Sequence, residues 1–473
     1  MKRRLIFLVA LLTLLSGLTL AFSPAARAET RSAQISSNCM LANSTDVLTG
    51  NIGGANYLIK VPSNFNGTLV LYSHGYVFPG NPLTPEDAGD PLTEAALLQQ
   101  GYALAGSSYS QNGWALQQAF QDQIALLNFY DATCGQPLRT IAWGHSLGGI
   151  ITAGLVQLNP GRFAGALPMC GVLAGGVGTW NQALDSAFAF DVLLAGNTLP
   201  IVHLPALGSS ALTTVFNQGE GILQNAQNTA QGRARIALAA ALADIPGWFT
   251  TGSPEPASTD YATQEVNQFD WQSQVDFLFA FFARAELEAR AGGNPSWNTG
   301  VNYRDQLNDS SDSKEVRALY QQAGLNLDKD LDTLAAAPRI GADPGAVEYL
   351  NKYISFDGDL NIPVLTMHTT GDGLVVNQDE QAYASVVQSE GDSNLLRQVF
   401  VHRAGHCAFT PAETVTAFQT LIHRVNTGKW GDTTDPALMN TEATSLGSTL
   451  NTALPAFINF QPTVFLRPFF KRD

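Results

Sequence analysis

One segment constrains the fold of this chain more than any other. Residues 139–151, "RTIAWGHSLGGII", begin as an apolar run typical of a buried strand, turn through closely spaced glycines and continue as an apolar helix. The turn carries Ser146 at its tip, between Gly144 and Gly148. Glycine is required on both sides because larger side chains would collide with the neighbouring strand and helix. The segment therefore predicts a serine hydroxyl exposed above a sheet, at the N-terminal end of a helix.

Strands alternate with helices on both sides of this segment. Apolar, β-rich runs at 67–75 and 102–110 are typical of strands, and apolar positions recur at helical spacing in 113–130. The alternation resumes at 362–372 and continues with a strand at 396–402. Strands that alternate with helices predict an α/β fold, in which right-handed crossovers join a mostly parallel sheet flanked by helices.

The alternation is interrupted in the middle of the chain. Residues 175–360 contain helical stretches separated by Gly, Ser, Pro and Asn, which predicts a helical cap inserted into a core formed by 29–174 and 361–473. Glu286 and Glu288 have the spacing of a solvated helix face. One cap helix is rich in aromatic residues, which either pack within the cap or line a cleft for an acyl group: Phe269, Trp271, Phe277, Phe279, Phe281 and Phe282.

Composition and charge exclude some classes of protein. The chain has 473 residues, of which 45% are hydrophobic and 14% charged, as in folded globular proteins. Its net charge of -15 would repel phosphate backbones, so we expect no nucleic-acid partner. Residues 1–28 combine three early basic residues, an apolar run and the small-x-small triplet Ala26-Arg27-Ala28, which predicts a cleaved secretory signal; an uncleaved anchor is the alternative.

A serine hydroxyl becomes a good nucleophile only when a base takes its proton. Among the histidines, His406 follows the last predicted strand and precedes a helix, at the carboxyl edge of the sheet where ligands gather in open α/β folds. His402 lies in that strand or at its end, where packing is the simpler role. We therefore interpret Ser146 as the nucleophile and His406 as its base.

The base needs a carboxylate that fixes its tautomer and stabilises the imidazolium. Asp372 follows the strand at 362–372 and so lies at the carboxyl edge, whereas Asp357 and Asp359 precede that strand. The resulting order along the chain is Ser146, Asp372, His406, which is the nucleophile–acid–histidine order of α/β-hydrolases.

The chain thus resembles the α/β-hydrolase superfamily over roughly residues 50–175 and 360–427. The resemblance depends on "GHSLGG", "TTGDGLV" and "AGHCAF", and on "YSHGY" after an early strand. It implies an oxyanion hole formed by the backbone N–H groups of Tyr76 and Leu147. Together with the predicted secretory signal, it leads us to expect a secreted, cofactor-free serine carboxylesterase or lipase that forms an acyl-enzyme. No HExxH or comparable ligand cluster in the sequence indicates a metal.

Four cysteines allow three pairings if all are bonded, and they are too widely spaced for a CxxC metal site. The position of Cys407, next to His406, is similar to that in tannase and feruloyl-esterase-like enzymes, where a disulfide joins the neighbours of the serine and the histidine. This chain differs, since a histidine precedes Ser146. Cys170 ends a strand at the same carboxyl edge, so a Cys170–Cys407 bond could clamp the histidine loop. Cys134 follows a helix and precedes a strand, at the opposite edge, where Cys39 could meet it. We therefore expect Cys170–Cys407 and Cys39–Cys134; four free thiols are the alternative.

Other functions remain compatible with the sequence. The nearest is an exopeptidase of the same fold, and a lipase that works at an oil–water interface is another. A non-catalytic binding protein on a hydrolase scaffold belongs to a different class, and the presence of all three residues in the expected order argues against it. The sequence predicts a small or polymeric ester as substrate and leaves acyl specificity and oligomeric state open.

Overall fold

The protein is described by a computed structural model that covers Cys39 and residues 47–467. The predicted signal at residues 1–28 lies outside the described residues. The strands are β1 (Leu48–Ile52), β2 (Ala55–Lys60), β3 (Thr68–Ser73), β4 (Ala103–Ser107), β5 (Arg139–His145), β6 (Gly165–Met169), β7 (Val364–Gly371), β8 (Leu396–Ala404) and β9 (Phe457–Ile458).

All these strands belong to one sheet, in the order β1-β2-β4-β3-β5-β6-β7-β8-β9. The strands from β4 to β8 in this order pair in parallel. The outer strands, β1 and β2 on one side and β9 on the other, pair antiparallel with their neighbours. The mostly parallel sheet expected from the alternating pattern is therefore confirmed. Because parallel strands all end at the same edge, loops distant in sequence meet there.

The central strands are covered on both faces, which explains their continuous apolar runs. In β3, Leu69 and Leu71 face one hydrophobic cluster, whereas Val70 and Tyr72 face another on the opposite side of the sheet. The helices that flank the sheet are α1 (Pro91–Gln99), α2 (Leu116–Thr133), α3 (Leu147–Leu158), α13 (Gln378–Glu390), α14 (Pro411–Thr427) and α15 (Pro436–Ser445).

The chain between β6 and β7 is helical, without a strand among its described residues. The helices are α4 (Gly175–Leu193), α5 (Ser210–Gln227), α6 (Ala230–Ala241), α7 (Tyr261–Trp271), α8 (Arg284–Ala291), α9 (Tyr303–Asp309), α10 (Ser313–Gln322), α11 (Leu327–Ala336) and α12 (Pro344–Lys352). Most of these helices pack around a hydrophobic cluster of their own, whereas Leu350 of α12 belongs to a cluster that covers the sheet. The division of this region into a cap domain at 175–360 stays a prediction.

The aromatic-rich helix is less regular than its sequence suggests. It consists of α7, two π-helical turns at Gln272–Asp276 and Phe279–Ala283, and then α8. π-Helical turns within α-helices are rare and occur frequently at functional sites. Within the described ranges, none of the helices is both long enough and apolar enough to cross a bilayer.

Candidate active site

Ser146 occupies a strained turn between β5 and α3. Its backbone has φ 57° and ψ -122°, a conformation that non-glycine residues adopt rarely. A side chain at Gly144 or at Gly148 would overlap the carbonyl oxygen of Ser73 in β3. The glycines therefore allow α3 and β5 to approach β3 closely, and the serine is held at the apex of the turn.

The side chains interpreted as acid and base reach the same edge of the sheet. Asp372 directly follows the end of β7, and His406 lies two residues beyond the end of β8. Nδ1 of His406 is 2.7 Å from Oδ2 of Asp372. The Asp372 side chain is fully buried, whereas the side chain of His406 is 20% exposed. The other ring nitrogen of His406, Nε2, lies 3.4 Å from the sulfur of Cys407.

Asp372 is held as an anion by its surroundings. Its Oδ1 accepts hydrogen bonds from the backbone N–H groups of Leu374 and Val375, both at 3.1 Å. Burial alone would raise the pKa of Asp372, but the charges and hydrogen bonds of His406 and His368 outweigh it and lower the pKa to about 2. Asp372 is therefore ionised at neutral pH and can orient the imidazole of His406.

His368, in β7, lies behind this pair and is not among the site residues predicted from the sequence. Its Nε2 lies 2.8 Å from the carbonyl oxygen of Val375 and 3.5 Å from Oδ2 of Asp372. Its Nδ1 lies 3.1 Å from Oε1 of Glu380. Burial would lower the pKa of His368, but the two carboxylates raise it to about 10. The imidazolium thus links two buried carboxylates. The available signal in the sequence was the separation of four residues between His368, in β7, and Asp372, which directly follows β7.

A disulfide ties the loop of His406 to the strand next to Ser146. Cys170 follows β6 and is bonded to Cys407, and the backbone N–H of Ser146 donates to the carbonyl of Met169 at 3.0 Å. The serine and the histidine are therefore both anchored at the end of β6. In this structure the Ser146 hydroxyl and His406 do not form a hydrogen bond with each other, which is common in enzymes without bound substrate.

The second disulfide lies elsewhere. Cys39 is bonded to Cys134, which follows α2. Both disulfides are the pairings named from the sequence.

Among the described residues, Cys170, His406 and Cys407 also form the one group with the spacing of metal ligands. The two sulfurs are bonded to each other, so this group offers no thiolate to a metal.

Two backbone donors lie close to the serine. Tyr76 and Leu147 both line the cavity that contains Ser146. Neither of their backbone N–H groups donates a hydrogen bond to another described residue, and that of Leu147 is at the N-terminus of α3. Unpaired N–H groups of this kind can stabilise an oxyanion.

The cavity that contains Ser146 is largely apolar and has a volume of about 110 Å³. Phe277 and Phe279 contribute to its wall, so part of the aromatic-rich helix does face the cleft, whereas Phe281 packs into the helical cluster. The other aromatic side chains around it are Tyr76, Trp114, Trp180 and Phe190. Its polar lining comes from Thr179, Gln182, Ser186, Gln272 and Asp276.

The expectation that Glu286 and Glu288 form a solvated face is wrong. Each is only 7% exposed. Glu286 accepts a hydrogen bond from the backbone N–H of Trp114 at 2.8 Å, and Glu288 accepts one from that of Leu204 at 2.8 Å. Each also pairs with an arginine on the same helix, Arg290 and Arg284 respectively. These acids therefore hold loops against α8, which helical spacing alone does not reveal.

The strand order, the strained serine turn and the positions of the three side chains define the class: the chain has the α/β-hydrolase fold. No family model matches it. Its sequence is similar to that of the o-phthalyl amidase of Xanthobacter agilis, with 28% identity over 423 residues that cover 84% of this chain and 90% of the relative.

Solved structures also show some likeness. An esterase from Aspergillus oryzae matches with a TM-score of 0.38 and 13% identity, over 81% of this chain and 79% of that one. The proline iminopeptidase of Mycobacterium smegmatis matches with a TM-score of 0.35 and 12% identity, over 85% and 100%. These scores are low, so the fold is assigned from the strand order and not from these likenesses.

Proposed function

We propose that the protein is a serine hydrolase that cleaves carboxylic esters through an acyl-enzyme. The observation that carries the proposal is the hydrogen bond between Asp372 and His406 at the sheet edge that also bears Ser146. The resemblance to α/β-hydrolases and the unpaired N–H groups beside Ser146 support it.

The proposed reaction begins with attack of the Ser146 hydroxyl on the carbonyl carbon of the substrate. His406 accepts the serine proton at Nε2 while Asp372 stabilises the imidazolium through Nδ1. The N–H groups of Tyr76 and Leu147 stabilise the oxyanion, and each such donor is worth about 3 to 4 kcal/mol in related chemistry. His406 then protonates the leaving alcohol, and a water molecule activated by the same histidine hydrolyses the acyl-enzyme.

The test is covalent labelling together with turnover. The purified protein should react with a fluorophosphonate probe and hydrolyse 4-nitrophenyl butyrate, and Ser146→Ala should do neither. Ser186→Ala is the matched control, because Ser186 lines the same cavity but does not lie in the strained turn between β5 and α3. A wild-type protein that folds but neither labels nor turns over any ester or amide would overturn the proposal.

Amide hydrolysis is the second candidate. It is favoured by the similarity to the o-phthalyl amidase of Xanthobacter agilis, which extends over most of both chains. The two bonds are compared best on one acyl group, as the 4-nitrophenyl ester and the 4-nitroanilide of benzoic acid. Turnover of the anilide alone would replace the ester assignment by an amidase.

We further propose that the mature protein is exported. Its two disulfides fit an oxidising compartment. After expression in a secreting host, mass spectrometry of the N-terminus is expected to find Glu29 as the first residue. A secreted or membrane-bound product that still carries residues 1–28 would contradict cleavage.

A further inference from the structure

The cavity beside Ser146 contains two polar side chains that the proposed reaction does not use. Gln272 and Asp276 lie at the two ends of the first π-helical turn and both line the cavity. A π-helical turn has i to i+5 hydrogen bonds and therefore more residues per turn than an α-helix. Residues four apart lie close to the same face of such a turn, as they also do in an α-helix, and both side chains reach the cavity wall.

Neither side chain is fully satisfied within the protein. Gln272 is 1% exposed, and its amide nitrogen donates to the carbonyl of Ile236 at 3.4 Å, while its Oε1 has no hydrogen-bond partner among the described residues. Asp276 forms no hydrogen bond or ion pair with another described residue, and its Oδ2 is shielded from solvent. Buried polar groups without partners are costly, so their retention on a cavity wall indicates a ligand that satisfies them.

The surroundings of Asp276 favour its neutral form. Burial raises its pKa well above the ordinary range, and the negative charge of Asp372 raises it further. Among the described residues that line the cavity there is no lysine, arginine or histidine to pair with a carboxylate. A substrate with a cationic substituent would bind well only if Asp276 were ionised, and ionisation is costly in an apolar site. A cation is therefore a poor ligand for this cavity. Asp276 therefore offers an O–H donor, and Gln272 offers an acceptor.

The cavity lies on the acyl side of the serine. The leaving group must be next to His406, which protonates it, yet His406 does not line this cavity, whereas Ser146 and both oxyanion donors do. The aromatic wall and the volume of about 110 Å³ suit a single planar ring. A hydroxyl group on such a ring can accept from Asp276 and donate to Gln272 at the same time.

We infer that Asp276 and Gln272 together bind a hydroxyl substituent on an aromatic acyl group and so select hydroxylated aromatic acyl substrates. This inference rests on the proposed function of Ser146 and deepens it. The prediction concerns selectivity, since neither residue touches the reacting atoms in the proposed reaction.

The test compares 4-nitrophenyl esters of benzoic acid with those of 3-hydroxy- and 4-hydroxybenzoic acid. We measure kcat/KM for the better hydroxylated ester and divide it by kcat/KM for the benzoate ester, in wild type and in each variant. Comparing these ratios between proteins cancels the different chemical reactivities of the esters. Asp276→Leu should lower this ratio at least tenfold. Asp276→Asn, which keeps a neutral donor, should stay within threefold of wild type, as should the exposed control Asp309→Asn.

Two results would overturn the inference. One is a ratio in Asp276→Leu within twofold of wild type. The other is a preference of the wild type for an aminomethyl-substituted benzoate that Asp276→Asn abolishes, since this would make Asp276 an anion. Because Asp276→Leu could misfold, calorimetry on Ser146→Ala gives a second measure: 4-hydroxybenzoate or 3-hydroxybenzoate should bind at least fivefold more tightly than benzoate.

The calorimetric experiment also separates this inference from the proposed function. Absence of turnover in wild type, with retained selective binding of a hydroxybenzoate, would refute the hydrolase and uphold the site. Turnover of esters without any preference for the hydroxylated ring, together with equal binding of the three acids, would refute the site alone.

Discussion

The carboxylate of Asp372 is bonded on two sides by histidines that lie at different depths. Nδ1 of His406 is 2.7 Å from its Oδ2 on the side of the serine, and Nε2 of His368 is 3.5 Å from the same oxygen on the side of the sheet. Glu380 lies beyond His368 at 3.1 Å. The proposed catalytic acid thus lies between His406 on one side and the buried pair of His368 and Glu380 on the other, and the first two predictions concern these residues.

Replacement of Asp372 by asparagine should remove the group that orients His406. Asparagine fits the same space but cannot stabilise the imidazolium, and comparable changes lower kcat by about 10⁴-fold. Steady-state kinetics with 4-nitrophenyl butyrate would measure the loss. Asp359→Asn, at the opposite edge of the sheet and exposed, serves as the control and should keep wild-type activity. Equal activity of both variants would remove Asp372 from the mechanism.

His368 should make the stability of the protein depend on pH. Its pKa is about 10 in the folded state against an ordinary value of 6.5, so it stabilises the fold fully below about pH 6.5. This contribution is lost as the pH rises through 10. Urea unfolding between pH 6 and 10 should therefore show a smaller decline in the free energy of unfolding for His368→Asn than for wild type. Parallel curves would contradict this assignment.

The two disulfides should differ in their effect on activity. Removal of either one should cost about 2 to 5 kcal/mol of stability. Only Cys170–Cys407 adjoins His406, so Cys170→Ala/Cys407→Ala should also lower kcat, by at least tenfold at a temperature where the variant is folded. Cys39→Ala/Cys134→Ala is the matched control, and we expect its kcat to remain within twofold of wild type. A similar loss of kcat in both would show that the effect is one of general stability.

Glu315, in the helical region, should destabilise the fold at neutral and alkaline pH. It is 1% exposed and its pKa is raised to about 9, first by burial and then by the charges of Asp312 and Glu265. An acid whose pKa is raised on folding opposes folding increasingly as the pH rises from about 4.5 to 9. Glu315→Gln should therefore raise Tm at pH 8 but not at pH 4, and the exposed control Glu390→Gln should change neither. A Tm that falls at pH 8 would refute this.

Arg467, close to the end of the described chain, should stabilise the helical region. Its guanidinium bonds both carboxylate oxygens of Asp185 at 2.8 and 2.9 Å, and Asp185 is 1% exposed. Arg467→Met leaves the buried Asp185 without its partner and should lower the free energy of unfolding by about 3 kcal/mol. This value is at the lower end of the range for buried ion pairs because Arg467 reaches solvent. Arg304→Met breaks an exposed pair with Asp328 and should leave the free energy of unfolding nearly unchanged, because solvent screens such a pair. Equal effects would show that the pair with Asp185 contributes little.

The local sequence pattern was sufficient to predict the order of strands and helices and the glycine turn around Ser146, because both depend on residues that are neighbours in the sequence. The start of α14 also depends on neighbouring residues, since Thr410 and Glu413, three residues apart, form a capping box. The candidate triad could be named because parallel strands end at one edge, so that residues after strands of known direction must lie near each other.

Contacts between distant segments were decided by the tertiary structure alone. Glu286 and Glu288 have the spacing of exposed residues, yet loops from other parts of the chain bury them. The roles of His368 and Asp276 likewise depend on neighbours far away in the sequence, since burial and the charges around a side chain set its pKa. Sequence by itself determined the scaffold and the order of the proposed catalytic residues, whereas the shape and polarity of the cavity required the packed fold. The physical reason is that hydrophobic periodicity is a local property, while desolvation and charge interactions arise only between segments brought together by folding.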